Sequence, residues 1–445
     1  MRVLLISTYE LGRQPFGLAS PAAWLRNAGA DVTCLDLSRQ AFDVSGPPPD
    51  LMAFHLPMHT ATRLAAPVFD RVRGTYPDAQ MCCYGLYAPL NAAWLRSRGV
   101  QHILGAEFEP ALVELAAAIA SGRTPPAAPA ELPRPAYVTP DRSGLPPLSR
   151  YTSLQVGSER RTVGYTEASR GCKHTCRHCP VVPIYAGRFR VLPVDVVVED
   201  VRAQVGSGAR HITFGDPDFF NGPRHAMRVV EQVSAACPGV TYDVTIKVEH
   251  LLRHRRLLPR LRETGCLFVT SAVESFDDDV LRILDKRHTR ADVEEALQAC
   301  GAAGLTLSPT FIPFTPWTTL DGYCDLLAQI DRLGLTDLVA PIQLTLRLLV
   351  TEGSLLLGRP ELRPYLGPFD AARLVYPWRH PDPRVDRFCE AVGALVGRRV
   401  NTPRRELFAE VWRLAHEQAG HAPVRRAAHP ARRTDVPYLN EPWYC

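Results

Sequence analysis

Three cysteines lie close together near the middle of the chain. Cys172, Cys176 and Cys179 form the pattern C-x3-C-x2-C. Three thiolates can hold three irons of a four-iron cluster, and the remaining iron is then open to bind a substrate. Structural zinc needs four protein ligands, and His174 or His178 is able to complete such a set. The spacing therefore predicts a metal centre, with an iron–sulfur cluster as the first interpretation and zinc as the alternative.

The composition limits what kind of protein surrounds this centre. The chain has 445 residues, of which 46% are hydrophobic and 22% charged, as in folded globular proteins and unlike disordered ones. No apolar run reaches the ~18 residues that span a membrane. The apolar stretch at the start of the sequence is too short for a signal peptide. The net charge of +5 is too small and dispersed to indicate a nucleic-acid partner. Nine of the twelve cysteines are scattered through a long chain, unlike those of a disulfide scaffold. We expect a cytoplasmic protein with no nucleic-acid or membrane partner.

Strands and helices alternate over residues 1–122, which predicts a parallel, doubly wound α/β sheet. Ligands of such sheets bind beyond the carboxyl ends of the strands. Those ends correspond here to the loops 8–17, 56–60, 84–89 and 105–109. Gly12, Gly17 and Gly85 lie in these loops and permit a ligand to approach the backbone closely.

A second alternation of strands and helices begins near residue 161. A proline-rich segment, 123–160, separates it from the first and predicts an extended linker. Six strand–helix units over 161–351 predict a partial (β/α)6 barrel, whose chemistry should lie at the carboxyl ends of the strands. The cysteine loop follows the first of these strands. Residues 352–445 predict a mainly helical region and a tail.

The stretch Glu167-Ala-Ser-Arg-Gly-Cys-Lys-His-Thr-Cys-Arg-His-Cys179 resembles the signature loop of the radical S-adenosylmethionine (radical SAM) superfamily. The resemblance implies a [4Fe–4S] cluster on Cys172, Cys176 and Cys179 whose open iron binds the amino and carboxylate groups of SAM. An electron from the cluster then cleaves SAM to methionine and a 5′-deoxyadenosyl radical. It also implies an external electron donor of the flavodoxin or ferredoxin type.

Further segments resemble the SAM-binding motifs of this superfamily. The turn 214–218 resembles the motif for the SAM amino group, residues 271–275 resemble a SAM-contacting strand end, and His178 holds a position that lies near adenine in the family. Helix capping remains an alternative for either aspartate of the turn, and an ordinary ion pair for Glu274. The cofactor-binding residues implied are His178, Phe214, Gly215, Asp216, Asp218, Ser271 and Glu274.

Lys247 and Glu249 alternate with Val248 in the third strand predicted for the barrel. Because successive side chains of a strand point to opposite faces, this alternation predicts charge directed into the barrel mouth. Lys247 is therefore a candidate catalytic residue. The basic stretch 286–289 fits either a basic turn or the solvent-exposed start of a helix.

The order of the two units resembles the cobalamin-binding subclass of radical SAM enzymes. The family's Asp-x-His-x-x-Gly motif is absent, so we expect cobalamin to bind without a histidine from that motif. The residues expected near it are Gly12, Gly17, His59 and Gly85. The alternative is a first domain that binds no cofactor and only shapes the substrate cavity.

The chain stops at Asn440-Glu-Pro-Trp-Tyr-Cys445. This end resembles that of a group of radical SAM proteins whose tails carry a Cys-Cys or Cys-selenocysteine pair followed by Ala-Glu-Pro, which suggests a UGA codon read as a stop. A vicinal thiol or thiol/selenol pair is a soft ligand, as in the radical SAM protein of arsinothricin biosynthesis. Cys445 is on this view a second candidate catalytic residue, and a frayed terminal residue is the alternative.

The sequence thus predicts a radical SAM alkyltransferase with a [4Fe–4S] cluster, SAM and cobalamin. The group transferred is either methyl or 3-amino-3-carboxypropyl, and the acceptor a small molecule or a metalloid such as arsenic. The alternative from another class is a non-catalytic zinc- or cobalamin-binding sensor.

Overall fold

The computed structural model describes residues 1–43, 46–125, 136–399, 402–422 and 438–439. They form two α/β units followed by a helical C-terminal region. None of the helices in these ranges is both long and apolar enough to cross a membrane.

The first unit is a five-stranded parallel sheet with helices on both faces. Its strand order is β2-β1-β3-β4-β5, so the direction of winding reverses between β1 and β3, where open α/β sheets bind ligands. One apolar core contains Val3 and Leu5, and the other contains Leu4 and Ile6, because neighbouring side chains of β1 point to opposite faces. The elements are β1 (Arg2–Ser7), α1 (Phe16–Asn27), β2 (Asp31–Asp36), β3 (Leu51–His55), α2 (His59–Thr75), β4 (Gln80–Tyr84), α3 (Tyr87–Leu90), α4 (Ala92–Ser97), β5 (His102–Ile103) and α5 (Glu109–Ala120).

The second unit is a curled half-barrel. Its parallel strands follow the order β7-β10-β11-β12-β13, and β6 extends the sheet antiparallel to β7. The short strands β8 and β9 pair with each other beside this sheet. The elements are β6 (Ser153–Val156), β7 (Glu159–Thr166), β8 (Ser169–Gly171), α6 (Val181–Tyr185), β9 (Phe189–Val191), α7 (Val194–Gly206), β10 (His211–Phe214), α8 (Pro223–Ala236), β11 (Thr241–Thr245), α9 (Val248–Arg253), α10 (Leu258–Glu263), β12 (Cys266–Glu274), α11 (Asp278–Ile283), α12 (Arg290–Ala302), β13 (Thr306–Phe311) and α13 (Leu320–Arg332).

The α/β fold with a partial barrel is confirmed, but the sixth predicted strand differs from the structure. Residues 338–346 contain a 3-10 turn over Pro341–Leu344, and only a bridge between Phe314 and Arg347 continues the parallel pairing. Proline cannot donate to a strand ladder, which explains why a regular strand does not form here.

The described part of the predicted linker packs against both units. The Arg142 guanidinium donates to both carboxylate oxygens of Asp200 at 2.8 and 2.9 Å and to Gln14 Oε1 at 2.9 Å. Strand β6 also lies within the segment predicted as linker. The segment is therefore held to both units rather than extended between them.

The C-terminal region is helical, as predicted. Its elements are α14 (Pro383–Arg398), α15 (Arg404–Ala419) and β14 (Tyr438–Leu439), which pairs antiparallel with β6. Phe388 of α14 stacks edge-on against Tyr323 of α13 with ring centroids 4.8 Å apart. The helices thus enlarge the core of the barrel.

A buried ion cluster joins the two units. Arg170, two residues before the first clustered cysteine, donates to Glu109 of α5 at 2.7 and 3.0 Å and to Glu167 at 2.7 Å, and lies 3.6 Å from Glu107. The Tyr185 hydroxyl donates to Glu107 at 2.8 Å. Removing one partner of a buried ion pair costs about 3–5 kcal/mol because the other charge is left uncompensated.

We expect Arg170→Met to lower the stability of the protein by about 3–5 kcal/mol, since three carboxylates lose their shared cation. Thermal unfolding of the apoprotein measures this loss. The control is Arg202→Met, which breaks an exposed pair with Glu199 at 3.4 Å and should leave the melting temperature nearly unchanged. Equal effects of the two substitutions would contradict a joining role for Arg170.

A pH dependence follows from Glu109. Burial would raise the pKa of this carboxyl, but the Arg170 guanidinium outweighs burial and lowers it. Its stabilising contribution is therefore complete above the unfolded-state pKa of about 4.3 and is lost as the pH falls through the lower folded-state pKa. We therefore expect the difference in melting temperature between the wild type and Glu109→Gln to be constant near neutral pH and to become smaller in acid. A difference that becomes larger in acid would contradict the assignment.

Candidate functional site

The cysteine loop lies at the carboxyl end of β7, directly after β8. Asn221 fixes its start: Asn221 Oδ1 accepts from the Lys173 backbone N–H at 3.0 Å, and Asn221 Nδ2 donates to the Gly171 carbonyl at 3.3 Å. Gly171 has φ +77°, and a Cβ there would meet the Tyr185 ring at 2.3 Å. Only glycine fits at this position, immediately before Cys172.

Burial governs the protonation of the free thiols in this loop. It raises the pKa of Cys172 to about 11 and that of Cys179 to about 12. A coordinating metal removes the thiol proton, and a cation nearby favours the resulting anions. Lys286 supplies that cation: burial lowers its pKa, but Glu274, Cys176 and Cys179 outweigh burial and raise it. The donor set of three cysteines beside a buried ammonium fits a cluster that needs three protein thiolates.

One of the three cysteines lies close to further possible metal ligands. In the described ranges, the side chains close enough to share a metal ion are Cys172, His174 and Asp218. His174 Nε2 lies 3.0 Å from Asp218 Oδ2, and its Nδ1 lies 3.3 Å from Lys247 Nζ. Both ring nitrogens of His174 thus have polar neighbours.

Glu274 connects the loop to the end of β12. Its Oε1 lies 3.2 Å from His178 Nε2 and accepts from Lys286 Nζ at 3.3 Å. Burial would raise its pKa, but Lys286 and His178 outweigh burial and lower the pKa of Glu274 to about 2. Its backbone is left-handed, with φ +69°, and such strain in a non-glycine residue is typical of functional sites.

Two cavities meet beside the loop. The barrel cavity, about 1170 Å³, lies between the inner face of the half-barrel and the C-terminal region. The interdomain cavity, about 480 Å³, lies between the first unit and the cysteine loop. Four residues line both cavities: His178, Ile312, Leu348 and Leu349. Ligands in both cavities would therefore contact His178, which belongs to the cysteine loop.

Several predicted residues line these cavities. Glu274 lines the barrel cavity, while Gly17, Gly85 and Gly215 line the interdomain cavity. A Cβ on Gly215 would lie 1.8 Å from the Tyr165 hydroxyl, so the chain requires glycine at this point of the wall.

Phe214 and Ser271 line neither cavity, in contrast to the prediction. Phe214 is 1% exposed and packs edge-on against Tyr242 in the core. Thr270 and Ala272 line the barrel cavity, so the intervening Ser271 points to the opposite face of β12. Neither side chain therefore faces the space in which a cofactor is expected.

The two aspartates of the 214–218 turn have internal partners. Asp216 accepts from the Ala168 N–H at 2.9 Å and from the Ser169 hydroxyl at 2.5 Å. Asp218 accepts from the Phe220 N–H, which makes it the cap of a 3-10 turn, and its Oδ2 lies 2.7 Å from His250 Nδ1. These aspartates shape the loop from behind and line neither large cavity.

Lys247, Gly12 and His59 also line neither cavity. Strand β11 ends at Thr245, and Lys247 is the residue before α9 rather than a strand residue, which corrects the predicted alternation. The Gly12 carbonyl accepts from the Thr152 N–H, and His59 Nε2 lies 2.8 Å from the Arg373 carbonyl. Cys445 lies outside the described residues.

Sequence reasoning missed the roles of four residues. Arg170 precedes the cysteines in the chain, but its partners Glu107 and Glu109 come from a distant segment. Lys286 was readable as part of a solvated turn, yet it is 3% exposed. His55 at the end of β3 and Glu10 in the loop after β1 line the interdomain cavity. Only the folded sheet brings such pairs together.

Residues 166–327 match the model of the radical SAM superfamily. The hopanoid C-3 methylase of Methylococcus capsulatus is 22% identical over 330 residues, which cover 71% of this chain and 64% of that protein. The chain thus matches less than two thirds of that relative's length.

Two solved structures share the fold of both units. The radical SAM methyltransferase TsrM from Kitasatospora setae, with cobalamin and a [4Fe–4S] cluster bound, has a TM-score of 0.60 and 18% identity, and the match covers 75% of this chain and 73% of that one. The cobalamin-dependent radical SAM enzyme OxsB, with aqua-cobalamin and SAM bound, has a TM-score of 0.70 and 13% identity, covering 94% and 71%.

The sensor alternative is not favoured by these matches, all of which are to enzymes. The family match covers the cysteine loop and most of the half-barrel, where the described geometry places the three thiols at the strand ends. The prediction of an enzyme is thereby confirmed, and residues 166–327 are similar to the radical SAM superfamily.

Proposed function

We propose that this protein is a cobalamin-dependent radical SAM methyltransferase that acts on a small molecule. The observation that carries the proposal is the meeting of two cavities at His178, which lies in the loop between Cys176 and Cys179. The interdomain cavity is bounded by the parallel sheet of the first unit, and the barrel cavity is bounded by the half-barrel. Two ligands bound in them would both lie against the cysteine loop.

The residues divide the work between these places. Cys172, Cys176 and Cys179 would hold the cluster, and Lys286 offsets their negative charge. Glu274, ionised and aimed at the barrel cavity, suits the ammonium or ribose hydroxyls of SAM. When bound, the cluster supplies the electron that cleaves SAM, and cobalamin carries the methyl group; the protein contributes orientation and exclusion of water.

The interdomain cavity offers a large cofactor mainly apolar walls. These include Leu11, Phe16, Met58 and Phe108, and the glycines at positions 17, 85 and 215 make room for the side chains of His55 and Tyr165 in the same walls. Placing cobalamin here agrees with the switch point of the sheet between β1 and β3.

The barrel cavity fits the substrate. Inward side chains of the strands, such as Thr245, Thr270 and Thr310, form one wall, and Arg347 and Trp378 form part of the other. Arg347 donates to Asp386 at 2.7 Å and lies over the Trp378 ring at 3.5 Å. The substrate would thus meet hydroxyls and an oriented guanidinium, while an external flavodoxin or ferredoxin supplies electrons.

Anaerobic reconstitution with iron and sulfide tests the cluster. We expect about four irons per chain and a brown chromophore in the wild type, both lost in a Cys172→Ala/Cys176→Ala/Cys179→Ala variant. The matched control is Cys237→Ala/Cys324→Ala, which removes two other cysteines of the half-barrel. One zinc per chain and no SAM cleavage would contradict the proposal.

Product analysis with reduced, loaded enzyme identifies the transferred group. Methyl transfer gives 5′-deoxyadenosine together with S-adenosylhomocysteine, whereas aminocarboxypropyl transfer gives methylthioadenosine. A parallel reaction with arsenite tests the metalloid acceptor; a new alkylated arsenic product would replace the small-molecule proposal, and unchanged products would retain it.

Glu274→Gln tests the proposed contact with SAM. A hydrogen bond to a charged group contributes about 1.5–3 kcal/mol, so we expect kcat/KM for SAM cleavage to fall about ten- to hundredfold while iron content is retained. Glu263→Gln, which neutralises an exposed carboxylate paired with Arg260 at 3.1 Å, is the control. Wild-type cleavage by Glu274→Gln would exclude this contact.

A further inference from the structure

A buried histidine and a buried glutamate form part of the wall of the interdomain cavity. His55 ends β3 and Glu10 lies in the loop after β1, so both stand at the switch point of the sheet. Each residue is 7% exposed. His55 Nδ1 lies 3.4 Å from Glu10 Oε2, and these two buried atoms form no hydrogen bond.

The protein holds the His55 ring in one place. A Cβ on Gly17 would lie 2.0 Å from the ring, and a Cβ on Gly85 would lie 3.1 Å from it, so both glycines make room for the imidazole. Tyr84 and Phe108 flank it with ring centroids 5.3 and 5.8 Å away. The Tyr84 hydroxyl donates to the Gly17 carbonyl at 2.8 Å, which fixes that wall.

This arrangement resembles the surroundings of a metal-bound histidine, but without the hydrogen bond to the carboxylate. Such a histidine presents one ring nitrogen to the metal, while the other donates to a carboxylate that sets the tautomer and the ring orientation. Glu10 lies on the Nδ1 side of His55. Nε2 is then the nitrogen left for a ligand in the cavity, which His55 lines.

The opposite wall of the cavity belongs to the half-barrel. It includes His178, Tyr185 and Gly215, next to the cysteine loop. A flat metal complex between the walls would have one face toward His55 and the other toward the loop and the barrel cavity. The face turned to the barrel would thus stay free for the transferred group.

We propose that His55 Nε2 is an axial ligand of the cobalt of cobalamin, with Glu10 as the positioning residue that orients it. The inference deepens the proposed function and rests on it, since it requires cobalamin in the interdomain cavity. This histidine lies outside any Asp-x-His-x-x-Gly motif, so only the fold identifies it.

Electron paramagnetic resonance of the cob(II)alamin form tests the ligand directly. The full chain is loaded with hydroxocobalamin, reduced and examined with natural or 15N-labelled histidine in the protein. We expect nitrogen superhyperfine splitting that changes when histidine is labelled, and that persists when cobinamide, which lacks the nucleotide base, replaces cobalamin. Splitting that ignores the protein label, or no nitrogen splitting, would overturn the proposal.

Variants assign the signal to one histidine. His55→Gln should retain cobalamin but lose the label-sensitive splitting, whereas His102→Gln, in the same unit with its Nε2 2.6 Å from Gln80 Oε1, should keep it. Glu10→Gln should reduce the histidine-ligated fraction by about tenfold. Splitting that survives in His55→Gln would overturn the assignment.

The wild-type experiment separates this inference from the proposed function. Cobalamin bound without label-sensitive splitting contradicts the role of His55 alone. A wild type that binds neither hydroxocobalamin nor cobinamide contradicts both proposals. Because the labelled wild type carries no substitution, the result does not depend on whether a variant folds.

Discussion

The buried guanidinium of Arg170 is the charge on which the arrangement of the site depends. It lies on the short strand that leads into the cysteine loop and compensates carboxylates of the first unit and of the half-barrel. Leaving a buried carboxylate without a partner would strongly destabilise the protein. The first unit must therefore meet the half-barrel at this point. The same contact fixes where the interdomain cavity lies relative to the cysteines.

The second constraint is the shared wall between the cavities. His178 belongs to the cysteine loop, lines both cavities and lies 3.2 Å from Glu274, whose charge Lys286 compensates. This chain of contacts holds the loop against the end of β12. A methyl carrier in one cavity and a substrate in the other would then be separated by only a few side chains. No domain movement would be needed to bring them together.

Sequence patterns that depend only on neighbouring residues predicted much of this architecture. Alternating apolar strands and amphipathic helices indicated both α/β units, and the cysteine spacing indicated the metal loop. Two predicted strand segments were wrong for similarly local reasons. Pro341 interrupts an apolar run that was predicted to be the sixth strand, and Lys247 follows the end of β11 instead of belonging to it. Phe214 and Ser271 show that a motif position does not fix the direction of a side chain.

The sequence by itself determined the two units, their order, the three clustered thiols and the glycines at the ends of strands, because strand period, helix period and cysteine spacing are properties of neighbouring residues. Only the tertiary structure decided which charges meet. Arg170 with Glu109 and Glu274 with Lys286 each join separate segments. Such pairs form because burial forces charges from different elements to compensate one another, and no spacing along the chain records that requirement.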